Sequence, residues 1–348
     1  MALNETVPIN DFYAGRILGF TMMCLISPFG TFINLVTIVA IARTPKIQTI
    51  PNAFVLLLSI NDIINYAGNL PVTGANDLTY GGVIKMCPAY AYFSLLFTGV
   101  NLMYYSFISI NRYVLIVHAS KYSMLFNRKT MGGVVFISWL VPSVLLSLPL
   151  FHISAKYDFV DDEKRYLCSM TSLDDSSDSN PLMMFILFLS FGFPLGTMCF
   201  CYFNIFRVLR RQRKIIEQHT AQHKETTKHG EPTTLKKQIP DEKKKSKKAD
   251  VKFTKIMMVL FFVFCITYGP NLIAMASPLW HYSSFIGKCC LVLTWTNGVL
   301  NSVIFIVLNK QVRDAVWLLF PCLNRHRLVL VKQGDATDQT DGTSITMH

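Results

Sequence analysis

The sequence predicts an all-α membrane protein: a bundle of seven transmembrane helices, N-terminus outside, followed by a short amphipathic cytoplasmic helix. Three observations carry this. Of 348 residues, 51% are apolar or aromatic and only 16% are Asp, Glu, Lys or Arg, against about 25% charged in an ordinary soluble domain. Seven separate windows are apolar enough to cross a hydrocarbon layer about 30 Å thick, which takes roughly 20 helical residues. The links between the windows alternate in charge. With 26 Phe and 14 Tyr, there is more apolar surface than one soluble core of this length can hide, which excludes a disordered chain and argues against a soluble enzyme.

The windows run in order as follows. Residues 17–42 hold no charge, and the stretch is too long for a leader peptide and lacks a basic start. Residues 52–76 hold one interior charge, Asp62. Residues 86–111 hold none and are followed by Arg112. Windows 130–155, 179–206, 256–280 and 289–309 hold none. The expected organisation is an outer tail over residues 1–15, the bundle over 16–309, and a cytoplasmic helix and tail over 310–348. A long basic inner loop, expected to be disordered, occupies about 210–250. No internal repeat is visible.

Lys and Arg in the short flanks set the orientation. Arg43 and Lys46 follow the first window, and Lys121, Arg128 and Lys129 follow the third. Arg207, Arg210, Arg211, Arg213 and Lys214 open the link after the fifth, a run of lysines closes it, and Lys310 and Arg313 follow the seventh. Residues 156–178 on the opposite side hold three basic and seven acidic residues. The basic side is therefore expected in the cytoplasm, where it meets anionic membrane lipid. The basic run lacks interleaved aromatics, which argues against nucleic acid as a partner. Asn4-Glu5-Thr6 is a glycosylation sequon on the expected outer side.

Cys87 and Cys168 both face the oxidising side, where they can pair or remain two thiols. Cys322, about a dozen residues after the last window, suits S-palmitoylation. Inside the windows, an ionisable group is costly and marks function. Asp62 has mid-window amides at matching depth, namely Asn34, Asn101, Asn297 and Asn301. Such a chamber suits a hydrated Na⁺, a protonated Asp62, or a plain inter-helix hydrogen-bond network. At the inner boundary, Arg112 is either an ordinary snorkelling arginine or, with Asp250 at the start of the sixth span on the same side, half of an Arg112–Asp250 pair that would latch the third and sixth helices. Pro71, Pro142, Pro149, Pro194 and Pro270 lie inside windows, where neighbours can satisfy the freed carbonyls.

The motifs together resemble the rhodopsin-like (class A) G-protein-coupled receptors over about residues 15–325, nearly the whole chain. They are Gly30-Thr31-Phe32-Ile33-Asn34, Leu58-Ser59-Ile60-Asn61-Asp62, Asn111-Arg112-Tyr113, Trp139, Pro194 with Tyr202, Phe264 with Pro270, and Asn301-Ser302-Val303-Ile304-Phe305. The resemblance implies a Cys87–Cys168 disulfide, Asp62 as the sodium-site acid, and Asn111, Arg112, Tyr113, Tyr202, Asp250, Phe264, Tyr268, Pro270 and Phe305 as an activation switch. It also implies an extracellular ligand, a heterotrimeric G protein, arrestin and receptor kinases as partners, and the plasma membrane as location. The chain departs from the pattern at five places, one of them Ala119-Ser120 where the family has Pro-Leu in the second inner loop. Asn111 replaces an acid, Tyr268 a tryptophan, Ser302 a proline, and Phe305 a tyrosine. Asn-Arg-Tyr followed by His118 is similar to the melatonin receptors.

The expected ligand pocket is Tyr90, Ser94, Leu95, Thr98, Ile186, Asn271, Met275, Leu291 and Trp295. It holds no acid to pair with an amine, so a non-aminergic small molecule or a lipid fits it best. The acidic outer link offers a peptide-binding alternative. A transporter would show repeats or several intramembrane charges. A hydrolase would show a metal or nucleophile motif, and an opsin needs a lysine within 289–309, which holds none.

Overall fold

The computed structural model describes residues 9–78, 87–153, 155–159, 168–173, 181–226, 241–276 and 284–320. Seven helices are long and apolar enough to cross a membrane. They are α1 (Tyr13–Arg43), α2 (Ile50–Asn76), α3 (Cys87–Val117), α4 (Lys129–Phe151), α5 (Met184–Gln212), α6 (Val251–Asn271) and α7 (Phe285–Leu308). An eighth, α8, spans Lys310–Leu319. α1 packs on α2 and α7, α3 on α2, α4 and α5, and α6 on α7. α3 is the most buried span, as the central rod of a bundle must be.

Each helix reflects its residues. Apolar side chains surround the rods, and long exposed ones such as Phe136, Phe203 and Ile266 face outward, as lipid-facing surface requires. Asn127 caps α4, its side-chain oxygen accepting from the amides of Lys129 and Thr130. Asn309 caps α8 in the same way through Gln311. Val312 and Ala315 bury the inner stripe of α8 against the bundle.

α2 and α5 each contain a π turn, over Asn65–Asn69 and Phe188–Gly192. Each turn ends two residues before a proline, Pro71 or Pro194. A proline removes one ladder hydrogen bond and crowds the carbonyl four residues back, and a wider turn relieves that crowding.

Several boundaries differ from the sequence reading. The fourth window was expected to run to Ala155, but the helix stops at Phe151. Pro149 tightens its last turn, His152 adopts a left-handed φ of 56°, and Ala155 opens a strand. That strand, β1 (Ala155–Phe159), pairs antiparallel with β2 (Cys168–Ser172) in the outer link. Tyr157 pins the hairpin, donating to the Leu146 carbonyl at 2.8 Å. Helical backbone enters both ends of the segment expected as a basic inner loop. Helix continues through Thr226 and resumes at Asp241, because Lys, Arg, Gln and Glu favour helix as strongly as apolar residues do. Helical backbone also begins at Ile9, inside the expected tail. Asn4 and Cys322 lie outside the described residues.

Candidate functional site: a polar seam and an inner latch

The seam starts at Asp62, only 5% exposed, in the middle of α2. Its Oδ1 accepts from the Asn101 amide at 2.8 Å. Asn101 alone of the four expected amides bonds the carboxylate. Asn297 and Asn301 meet one turn further in, around Tyr105. Tyr105 donates to Asn297 Oδ1 at 3.0 Å and accepts from Asn301, which also donates to Asn297 at 2.9 Å. Asn297 donates in turn to Thr267 Oγ1 at 2.8 Å, which brings in α6. Asn34 is reached from the far side. Ser302 donates to its Oδ1 at 2.7 Å, and its amide donates to the Gly30 carbonyl at 2.9 Å. The seam therefore joins α1, α2, α3, α6 and α7.

Tyr105 and Thr267 join the seam without having stood out in the sequence, and Ser302, which stood out there only in place of a proline, joins it too. Spacing was the available signal, since Asn101 and Tyr105, like Asn297 and Asn301, are four apart and share a helix face. Beneath the carboxylate lies a cavity of about 20 Å³, enough for a water molecule. Its polar lining is Ser59, Asp62, Tyr105, Tyr202, Asn301 and Ser302, and Phe305 lines it too. Most of the remaining lining is apolar, including Leu58, Ile108, Met198 and Leu260, so the Asp62 carboxylate faces a small, largely dry space.

At the inner end, Arg112 is 1% exposed. Its guanidinium carbon stands 4.6 Å from the centre of the Phe253 ring on α6. Phe253 meets Phe305 edge-on at 5.8 Å. The arginine is thus seated on an aromatic pair from α6 and α7. Asn111, which stands where the resembled family has an acid, donates to the Tyr122 hydroxyl at 3.3 Å. Tyr113 pairs with His118, its hydroxyl 3.3 Å from Nε2, and Tyr202 stacks on Phe261 at 4.9 Å. Phe264 stacks on Tyr268 at 4.6 Å and leans on Tyr105 at 5.4 Å. An aromatic column therefore connects the seam to α6 just inside Pro270. The Asp250 backbone lies in the helix that leads into α6, but its side chain, and hence the expected latch with Arg112, falls outside the described residues.

The expected pocket residues divide into groups. Ser94 accepts from Asn69 at 3.2 Å, Thr98 donates to the Ser94 carbonyl at 3.0 Å, and Tyr90 shares a short hydrogen bond with Thr73. Leu95 and Ile186 belong to the main apolar core. Trp295 packs instead with Ile26, Tyr66, Leu70 and Val292 in a smaller cluster. Asn271 and Leu291 are half-buried, and the Met275 side chain lies outside the described residues. Cys87 is disulfide-bonded. β2, which opens at Cys168, packs on the same helix, while the Cys168 side chain is not among the described ones.

Residues 33–309 match the family described as 7 transmembrane receptor (rhodopsin family). The chain belongs to that family, whose members are receptors and not enzymes. Its membership carries a multi-pass place in a membrane, and the chain spans about half the length of the first of the curated relatives it matches. The chain is 25% identical to the G-protein coupled receptor moody of Drosophila melanogaster, over 90% of its own length but only 53% of the relative's. It is 24% identical to Protein trapped in endoderm-1 of the same fly, covering 86% of this chain and 76% of that one. It is 23% identical to Melatonin receptor type 1C of Gallus gallus, covering 86% and 80%. Among solved structures, squid rhodopsin shares the fold, with a TM-score of 0.71 and 21% identity over 93% of this chain and 84% of that one.

Proposed function

We propose that this chain is a plasma-membrane receptor with its N-terminus outside. An extracellular ligand, a non-aminergic small molecule or a lipid, binds among the outer halves of the spans. Binding shifts the seam, frees the inner end of α6, and opens a cleft for a heterotrimeric G protein, with arrestin and receptor kinases acting on the same face. The seating of Arg112 on Phe253 carries this reading. A buried cation held by a ring on a neighbouring helix is a contact that a small helix displacement can make or break. In the same reading Asp250 adds an ionic contact to Arg112, Cys168 partners Cys87, Asn4 carries a glycan, and Cys322 carries an acyl chain. Na⁺ sits beside Asp62 and favours the resting arrangement.

Arg112→Ala tests the reading. It is expected to abolish coupling in cells carrying a set of chimeric G-protein reporters, at unchanged surface density. Full signalling by that variant would overturn the role given to Arg112.

A further inference from the structure

Tyr66 looks in the sequence like one more aromatic in an apolar run. Its setting is specific. It lies in the π turn of α2, and Ser27 of α1 donates to its carbonyl at 2.6 Å, satisfying an acceptor in the widened turn. Two glycines make its slot. A Cβ on Gly30 would stand 2.7 Å from the ring, and a Cβ on Gly298 of α7 would stand 2.8 Å from the hydroxyl. That hydroxyl donates to the Trp295 carbonyl at 2.7 Å and accepts from the Val299 amide at 2.9 Å. Trp295 and Val299 are four residues apart, so they are the acceptor and donor of one rung of the α7 ladder. A side chain inserted into a rung bends a helix. α7 contains no proline, and Ser302 stands where the resembled family has one.

We propose that Tyr66 is a positioning residue for α7, its hydroxyl spliced into the 295–299 rung to form the hinge about which the inner half of the helix moves. The rung is satisfied in two ways. With Tyr66 in place, both backbone groups bond the hydroxyl and the helix is bent. With Tyr66 withdrawn, they bond each other and the helix straightens. A proline would permit only the first form, whereas a tyrosine makes a two-state element.

The test is a distance measurement on the full chain in lipid nanodiscs, with its exposed native cysteines replaced by serine. Spin labels at Val307 and Met124, both exposed, report the inner end of α7 against the link after α3 by double electron–electron resonance. Wild type is expected to give two distance populations. Tyr66→Phe keeps the ring, removes the hydroxyl, and is expected to lose one of them. Adding Val299→Pro, which removes the same amide and crowds the same carbonyl, is expected to restore the lost population. A single wild-type population, or a Tyr66→Phe distribution that matches wild type, overturns the proposal. So does a Tyr66→Phe defect, misfolding included, that Val299→Pro does not repair, since Tyr66 would then be a packing residue only. The readout needs neither ligand nor G protein, so its outcome is separable from that of the Arg112 test.

Discussion

A charge in an apolar stretch is legible in a sequence because burial makes it expensive, and Asp62 and Arg112 stood out for that reason. Their partners were less legible. Hydroxyls in apolar helices are common, and most of them bond back to their own turn, as Thr31, Thr37 and Thr197 do here. Nothing local separates those from Ser302 or Tyr66, which bond across helices, or from Thr267, which donates back to its own turn and accepts from Asn297 across the bundle. An acid was the natural partner to seek for Arg112, and Asp250 keeps that place in the proposal, but no charge pattern announces the Phe253 ring that also stands against the guanidinium. A desolvated cation on a ring is worth about 2 kcal/mol, and one to two kcal/mol moves a two-state equilibrium roughly 5–30-fold. Phe253→Ala should therefore raise ligand-independent signalling at matched surface density, while Phe253→Tyr, which keeps the ring, should leave it near wild type. Equal second-messenger levels in all three would show that the ring does not restrain the arginine.

At the scale of elements, the seven windows were legible because length and hydropathy alone separate a span from a core helix. Their ends were not, since a helix runs on into water wherever the residues favour it, as α5 does to Thr226. The π turns were invisible as such, though their causes, Pro71 and Pro194, were in view. Close packing is another hidden element property, because a sequence does not say which glycine faces a neighbour. A Cβ on Gly298 would meet both Asp62 and the Tyr66 hydroxyl, whereas one on Gly132 or Gly133 of α4 would meet nothing within 4 Å. Gly298→Ala should cost about 1–3 kcal/mol through overpacking. Gly132→Ala should gain about 0.5–1 kcal/mol, the ordinary benefit of alanine inside a helix. Thermal unfolding of the purified chain in nanodiscs measures both, and similar shifts for the two variants would contradict the packing described.

For the whole molecule, Asp62 is where several rods come together. The carboxylate belongs to α2, takes its hydrogen bond from α3, and lies against Gly298 of α7. The cavity beneath it reaches Phe305, whose ring abuts the Phe253 that seats Arg112. A cation placed there would need these helices close together, so it would bind one arrangement of the bundle better than any other. Ligand linkage then gives the size of the effect: at ten times its Kd, the proposed Na⁺ would stabilise that arrangement by about 1.4 kcal/mol. The melting temperature of the wild-type chain in nanodiscs should therefore rise as NaCl replaces choline chloride at constant ionic strength, a precaution that holds general screening fixed. Asp62→Asn keeps the shape but removes the charge, and its melting curve should not respond to the exchange. Parallel sodium responses in the two proteins would remove the carboxylate from any part in holding the ion. A flat wild-type response would remove the ion, and the bundle's resting arrangement would then rest on the Asn101, Tyr105 and Ser302 bonds without it.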